Sequence, residues 1–591
     1  MVDNLASFKV FCQGGLNTSR DVLSQGETQP GSAIGLINYE PAVTGGYRKI
    51  NGFSNDFGTV TGTGSVLGVC VANGINQGVL ACRTPSSGNN YLHHWSFYYT
   101  FTVTSDTNLT VGETLTERGT AGDSTTATSI TGTLISKNSN TIVVDFGKIA
   151  GTNIFTNGNA ISDDGFSTST TLTSTPTKVG WSEVTTSGSP TMTGVTKVRF
   201  SRLNFGTPKV VLTDGINPAA TYDGSTYTQI THSDAPTDPK FSAIFQNHLF
   251  LAGDPAHPTK LYHSAPLAET DFASGNGAGV INVGFSIVAI KSFRNELFIF
   301  GSNSIKKLSG TATANFVLST VTDDLGCLAT DSVIEIGGDL LFLSQDGLRP
   351  IAGTAKIGDV NLETVSKNIQ SIFTDIVFDI DLDTLNAVVI RQKSQFRYFF
   401  GAADSQGIIG GFRQTPNGLQ FEYGQMLGIT ATCSDSAYIG QDEFVLHGDS
   451  DGKVHRQERG NDFAGTDIFS LFQTPFYYLQ DPEQRKIFYS VATYLRSEGD
   501  NEIVMSAVYD YENVDTLNPT NFNLTTEGAA AYYNEVSYDS TAIFDGNPSP
   551  VQRTNIEGSG KSASFKFVTN DSSASHSIQG LVITFGVGDR L

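Results

Sequence analysis

Gly448-Asp449-Ser450-Asp451-Gly452 has the G-x-S-x-G spacing of a nucleophile elbow, in which a serine is exposed on a sharp strand-to-helix turn beside a general base. Lys453-Val454-His455-Arg456 follows and reads as a strand. A hairpin turn is therefore expected here, not a nucleophile. The same stretch, Asp449-x-Asp451-Gly452, hints at a calcium loop, but Gly460 stands where the bidentate glutamate belongs. Gly558-Ser559-Gly560-Lys561-Ser562 has the ending of a phosphate-binding loop. Asn555 replaces its first glycine, and Ser564-Phe565-Lys566-Phe567 alternates as a strand, so no helix N-terminus is expected to hold phosphate. The glycines of Gly275-Asn276-Gly277-Ala278-Gly279 have the wrong spacing for a dinucleotide and read as a loop. His93-His94, beside Trp95, lacks a third ligand at a metal-site spacing, and a solvent-facing pair is expected. Asp323-Asp324 reads as a turn, and the Ser-x-Asp-x-Gly-x-x-Trp box of sialidase-like propellers is absent. No catalytic, cofactor-binding or metal-binding residue is assigned, and an enzyme is not expected.

The elements around these motifs repeat. Val210-Val211-Leu212-Thr213-Asp214-Gly215, Leu249-Phe250-Leu251-Ala252-Gly253, Leu297-Phe298-Ile299-Phe300-Gly301, Leu340-Leu341-Phe342-Leu343-Ser344, Tyr398-Phe399-Phe400-Gly401 and Phe444-Val445-Leu446-His447-Gly448 are apolar strands ending at turn residues. Successive copies lie roughly 40 to 57 residues apart, the spacing of propeller blades. Turns at Phe293-Arg294-Asn295-Glu296 and Gly337-Gly338-Asp339 join neighbouring strands within a copy. A single unit cannot bury both faces of its sheet, whereas a ring of units does.

The rest of the chain falls into three parts. Val66 to Ala72 and Gly78 to Cys82, turning at Asn73-Gly74, read as an opening blade. Residues 97–178 are rich in Thr, Ser and Asn, and their scattered alternation favours a small inserted β-barrel over a flexible linker. After about residue 470, Ile487 to Leu495 and Ile503 to Tyr509 read as long strands joined at Glu498-Gly499-Asp500. Residues 360–385 are the one expected helical patch, with Val365, Ile369, Ile372 and Phe373 at helical spacing. The fold expected is all-β: a β-propeller of roughly six blades with an inserted small β-barrel and a terminal β platform domain. The boundaries are 1–96 for an N-terminal platform segment and opening blade strands, 97–178 for the insertion, 179–470 for the propeller and 471–591 for the C-terminal platform.

Composition agrees with strands and tight turns, with 62 Gly, 39 Phe and 20 Tyr. Against 36 basic residues stand 58 acidic ones, a net charge of −22. Such a chain does not wrap nucleic acid by counterion release, though an acidic wall lets a polyanion pass without sticking. The five cysteines, Cys12, Cys70, Cys82, Cys327 and Cys433, are expected as buried free thiols. No signal peptide or membrane helix is read, which suggests assembly in a cytoplasm.

Four stretches carry a resemblance to a known family. They are Gly14-Gly15-Leu16-Asn17-Thr18 through Asn38-Tyr39-Glu40 to Gly46-Tyr47-Arg48-Lys49-Ile50-Asn51-Gly52-Phe53; Asp214-Gly215-Ile216-Asn217-Pro218-Ala219 with Tyr222-Asp223-Gly224; Phe245-Gln246-Asn247-His248-Leu249 into Leu261-Tyr262-His263-Ser264-Ala265-Pro266; and Phe298-Ile299-Phe300-Gly301-Ser302-Asn303-Ser304-Ile305 to Gly310. Together they resemble the tail nozzle protein of short-tailed bacteriophages, the tail tubular protein B type. The resemblance implies a virion structural protein that forms a homohexameric ring below the tail adaptor. Such a ring contacts the tail fibre or tailspike and conducts double-stranded DNA without reading its sequence. A lumen lined by negative charge is expected, with Arg48, Lys49, Arg485 and Lys486 away from it at subunit contacts. A propeller hydrolase or a lectin-like module for host surface polysaccharide is the alternative.

Overall fold

The computed structural model describes residues 5–42, 45–74, 78–85, 90–120, 127–146, 154–162, 169–184, 193–351, 364–379, 381–401, 406–415, 418–513, 515–526 and 550–587. The chain is all-β. Two α-helices, Val22–Thr28 and Gln370–Asp379, accompany its strands among the described residues.

Each apolar copy is the second strand of an antiparallel unit. In chain order the second strands are Gly78–Thr84, Pro208–Thr213, His248–Ala252, Glu296–Phe300, Asp339–Ser344, Gln395–Phe399 and Asp442–Gly448, giving seven units. Their first strands are Thr63–Ala72, Arg199–Asn204, Phe241–Phe245, Ala289–Phe293, Ile334–Ile336, Asn386–Ile390 and Cys433–Ile439. Several first-to-second turns are two-residue hairpins whose central residues both have positive φ: Gln246 and Asn247 at 47° and 64°, Arg294 and Asn295 at 48° and 61°, Gly337 and Gly338 at 61° and 75°. This geometry matches the strand twist and suits Asn and Gly.

The second strands are apolar without interruption because both of their faces are covered. Leu249 and Leu251 pack with Val211 of the unit before, while Phe250 and Ala252 pack with Leu297 and Ile299 of the unit after. Phe298 and Phe300 then face Leu340 and Phe342. The alternation has period two, but each phase meets a core and neither meets water. Every unit shares one core with its predecessor and another with its successor. The series returns on itself where Phe444 and Leu446 of unit seven pack with Val69, Val71 and Val79 of unit one.

Unit seven takes its outer strand from the N-terminal segment, with Phe53 opposite Gln457 and Ser54 opposite Arg456. In unit one the third strand, Leu92–Thr102, pairs with Thr177–Glu183, and the intervening chain forms further strands of the same sheet. That extension closes through a Val103–Leu172 bridge and a hydrogen bond from Thr104 N to Thr171 O of 2.9 Å. It surrounds its own core of Phe101, Leu115, Leu134, Ile142, Phe155 and Ile161.

Residues from both termini extend the sheet of unit six and build a second sheet beside it. Gly35–Ile37 lies parallel to the last strand of unit six, Gly418–Leu427, and antiparallel to Ile468–Gln473. It thereby stitches unit six to the strands Ala563–Asp571, Asn501–Tyr509 and Phe522–Thr526. The second sheet holds Leu5–Phe11, Lys486–Ser497 and His576–Val587. The two strands joined at Glu498-Gly499-Asp500 therefore lie in different sheets, with Phe488, Met505 and Phe585 in the core that includes both.

A buried charge network ties these parts together. Glu40 accepts from Arg48 at 3.1 Å and Lys393 at 2.7 Å, and Arg48 grips both carboxylate oxygens of Glu498 at 2.6 Å. Arg397, wholly buried, pairs with Glu458 and donates to Gln457 Oε1 at 2.6 Å.

Some expectations need correction. Val22–Thr28 is a helix outside the expected patch. It is too short to show periodicity, and the Asp21 carboxylate caps it by accepting from Leu23 N and Ser24 N at 3.1 and 2.8 Å. The expected patch contains the helix Gln370–Asp379, with Ile369 and Phe373 buried; residues 360–363 and 380 lie outside the described residues. Lys49 and Lys486 are not at a subunit surface. Lys49 is buried against Asp571 at 2.9 Å, and Lys486 is buried with its ammonium on the carbonyls of Asp481 and Lys561. Arg48 is largely enclosed by Glu40 and Glu498, whereas Arg485 is exposed and bonded to Ser559.

Candidate functional site

The first strands of the units converge on one cavity of about 450 Å³. Its walls carry Lys197, Arg199 and Arg202 from unit two and its entry, Lys291 from unit four, Asp331 ahead of unit five and Asp435 from unit seven. Four cationic side chains thus face two carboxylates, giving the cavity an excess of positive charge in a chain of net charge −22.

Asp331 takes two of the cations. Lys197 Nζ lies 2.7 Å from Oδ2, and Arg199 approaches both oxygens at 2.8 Å. Burial alone raises a carboxyl pKa, but Arg199 and then Lys197 outweigh it and hold Asp331 at about 2. These pairs reach from the start of unit two to the start of unit five and brace the cavity near the end where the first strands begin. Farther along, Arg202 pairs with Asp435 and donates to Val71 O at 3.0 Å, while Asp435 accepts from Val71 N at 2.8 Å.

Lys291 differs from the other three. Its side chain is exposed to the solvent of the cavity, with the walls of the units standing round it. Among the described residues no carboxylate lies within ion-pair distance of it. Burial lowers its pKa, opposed by the more distant Glu335 and Asp435. Ser201, Ser292, Thr330, Asn386 and Ser434 add hydroxyl and amide groups to the lining.

The sequence motifs lie away from this cavity. Asp449 organises a hairpin turn, accepting from Asp451 N at 2.9 Å, Lys453 N at 2.7 Å and His455 Nε2 at 2.9 Å, and the strand Val454–Gln457 follows. Lys561 N and Ser562 N both donate to Asp510 Oδ1, at 2.6 and 3.4 Å, so the amides a phosphate needs already serve a carboxylate. The turn Ser274–Asn276 leads from the glycine loop into the strand Gly279–Asn282.

His93 and His94, expected to face solvent, are both buried, at 2% and 5% exposure. They stand on a third strand whose neighbours cover both faces, and His94 Nδ1 meets Tyr222 Oη at 2.9 Å. Burial lowers the pKa of both, that of His94 to about 4. Among the described residues no group of three potential ligands is placed to hold a metal ion, and no helix is long and apolar enough to cross a membrane. All five cysteines are buried and free.

Sequence reasoning passed over the cavity residues. One local signal was present: Lys197-Val198-Arg199-Phe200-Ser201-Arg202 places three cations and no acid in a strongly acidic chain.

No protein-family model and no curated protein matches the chain. Among solved structures it is similar to PorZ, a surface component of the type-IX secretion system of Porphyromonas gingivalis, at 10% identity and a TM-score of 0.25 over 66% of this chain and 44% of that one. It is similar to an ancestral GH74 enzyme at 9% identity and a TM-score of 0.25 over 72% and 50%. A BBS1N structure in complex with ARL6DN gives 9% identity and a TM-score of 0.22 over 61% and 97%. The chain therefore spans half or less of the length of the first two. Likeness at this level carries no argument about activity.

Proposed function

We propose that the seven units form a β-propeller, that the extension of unit one is a small inserted β-barrel, and that the two-sheet assembly of both termini is a platform. Residues 179–470 with the opening strands of 1–96 make the propeller, 97–178 the insertion, and 471–591 with the rest of 1–96 the platform. The succession of shared cores, from unit one round to unit seven and back, supports a closed ring. Seven blades follow from counting Gly78–Thr84, whose run Val79-Leu80-Ala81-Cys82 belongs with the apolar copies although it lies on the far side of the insertion.

We infer that the chain is a phage tail nozzle subunit: a non-enzymatic structural protein of the virion that assembles as a homohexamer, meets the adaptor ring and the fibre or tailspike, and lets double-stranded DNA pass. The observation that carries this reading is the succession of shared cores through seven units, with segments from both termini paired into it. This architecture coincides with the segments that resemble that family. The charge network of Glu40, Arg48, Lys393, Arg397, Glu458 and Glu498 fits a part that transmits load, because it couples platform to ring. The propeller-hydrolase alternative is disfavoured at the cavity. Both carboxylates there are ion-paired, and one held at about 2 is a poor proton donor near neutral pH.

Electron microscopy of the purified protein tests the reading. A sixfold ring with an open centre and a negative wall is expected, together with no release of reducing ends from host envelope glycans. Single particles that cleave such glycans would sink it.

A further inference from the structure

We propose that the central cavity binds one small oxyanion per chain, a phosphate-bearing or polycarboxylate molecule, held by Lys291 with support from Arg202. This site is independent of the nozzle reading. The argument begins with charge. Asp331 is shared by Lys197 and Arg199, and Asp435 is occupied by Arg202, so Lys291 has no ion-pair partner among the described residues although it stands on the cavity wall. Its ammonium is exposed to the cavity and so stands ready for an entering anion, in a lining where cations outnumber carboxylates four to two. Glu335 and Asp435 act on Lys291 from beyond ion-pair distance.

The size and lining fit a ligand. A cavity of about 450 Å³ falls within the range of small-molecule sites. Ser292 adjoins Lys291 on the same strand, and Ser201 and Ser434 stand on first strands of units two and seven. Ser201 donates to Ser242 O at 2.9 Å and Ser434 to Asn386 Oδ1 at 2.7 Å, which leaves the Ser292 hydroxyl to meet an anionic oxygen beside Lys291. The Asp331 pairs brace the cavity where the first strands begin, which leaves the Lys291–Arg202 region nearer the other end as the route of entry.

Calorimetric titration of the intact protein with inorganic phosphate and, separately, with citrate, each at constant ionic strength set by sodium chloride, tests the proposal. Saturable one-to-one binding of at least one of them is expected; which one binds distinguishes a phosphate ligand from a carboxylate ligand. Lys291→Met should weaken that binding by about tenfold or more, the worth of one charge-assisted hydrogen bond, while Lys291→Arg should retain it. A thermal unfolding curve for each variant establishes that it is folded. Absence of saturable binding by both anions, abolition of binding by chloride at equal ionic strength, or undiminished binding by folded Lys291→Met would overturn the proposal.

Discussion

Phe53 lies opposite Gln457 as the outer strand of unit seven, so a segment near the start of the chain completes the last of the seven units. The Phe53 ring stacks on Phe463 at 5.1 Å and meets His447 and His455 edge-on or tilted at 4.8 and 4.7 Å. Phe53→Ala removes a buried aromatic side chain from this joint and should cost about 3–5 kcal/mol. Chemical denaturation checks it: the midpoint should fall with an unchanged slope. A loss below about 1 kcal/mol, well under that range, would mean the N-terminal strand is ornamental to ring stability.

Arg397 occupies a second-strand position where other units carry an apolar side chain. It persists because Glu458, Gln457 and the more distant Glu40 satisfy it. Arg397→Met should destabilise by about 1–3 kcal/mol, since it removes one charged partner from Glu458 while Lys393 remains on Glu458 and Glu40. Replacing Glu458 by Gln in the same chain should recover part of that loss. Additive losses in this double-mutant cycle would deny the coupling.

Acid should act in two stages. Burial lowers His94 to about 4 and His576 to about 3, below the unfolded value of about 6.5. The unfolded chain therefore takes up protons first, and stability declines as pH falls below about 6.5. Glu458, where Arg397 and Lys393 overcome the burial that would raise its pKa, sits at about 2. Its contribution is present above the unfolded glutamate value of about 4.3 and is lost as pH falls towards 2. Urea midpoints measured from pH 7 to 3 should show both declines, and Glu458→Gln should flatten the second alone. Constant stability between pH 7 and 4 would contradict the assignment of buried neutral histidines.

Thr100 and Thr177 are paired neighbours at the point where the insertion leaves unit one. Replacing residues 101–176 by a short Gly/Ser turn should leave the remainder with a single cooperative unfolding transition. Loss of that transition would show the insertion to be part of the ring's core.

The second strands were legible because both of their faces are covered. Leu249-Phe250-Leu251 is apolar at every position for that reason, and the turns at Asn295 and Gly337-Gly338 needed positive φ. The same double coverage misled the reading of His93-His94, whose polarity suggested a surface that the neighbouring units remove. Phe53–Ser54 is too short to announce a strand, and only its partner gives it that form. The cavity was illegible because Arg199 and Asp331 meet through the packing of separate units, not through any local spacing. Asp435 and Arg202 are hidden for the same reason.

Light scattering of the purified chain, alone and mixed with a tail adaptor protein of a short-tailed phage, tests the proposed function most directly. A nozzle subunit should give the mass of six 63.1 kDa chains, alone or on meeting the adaptor. A mass of one chain under both conditions would contradict the account.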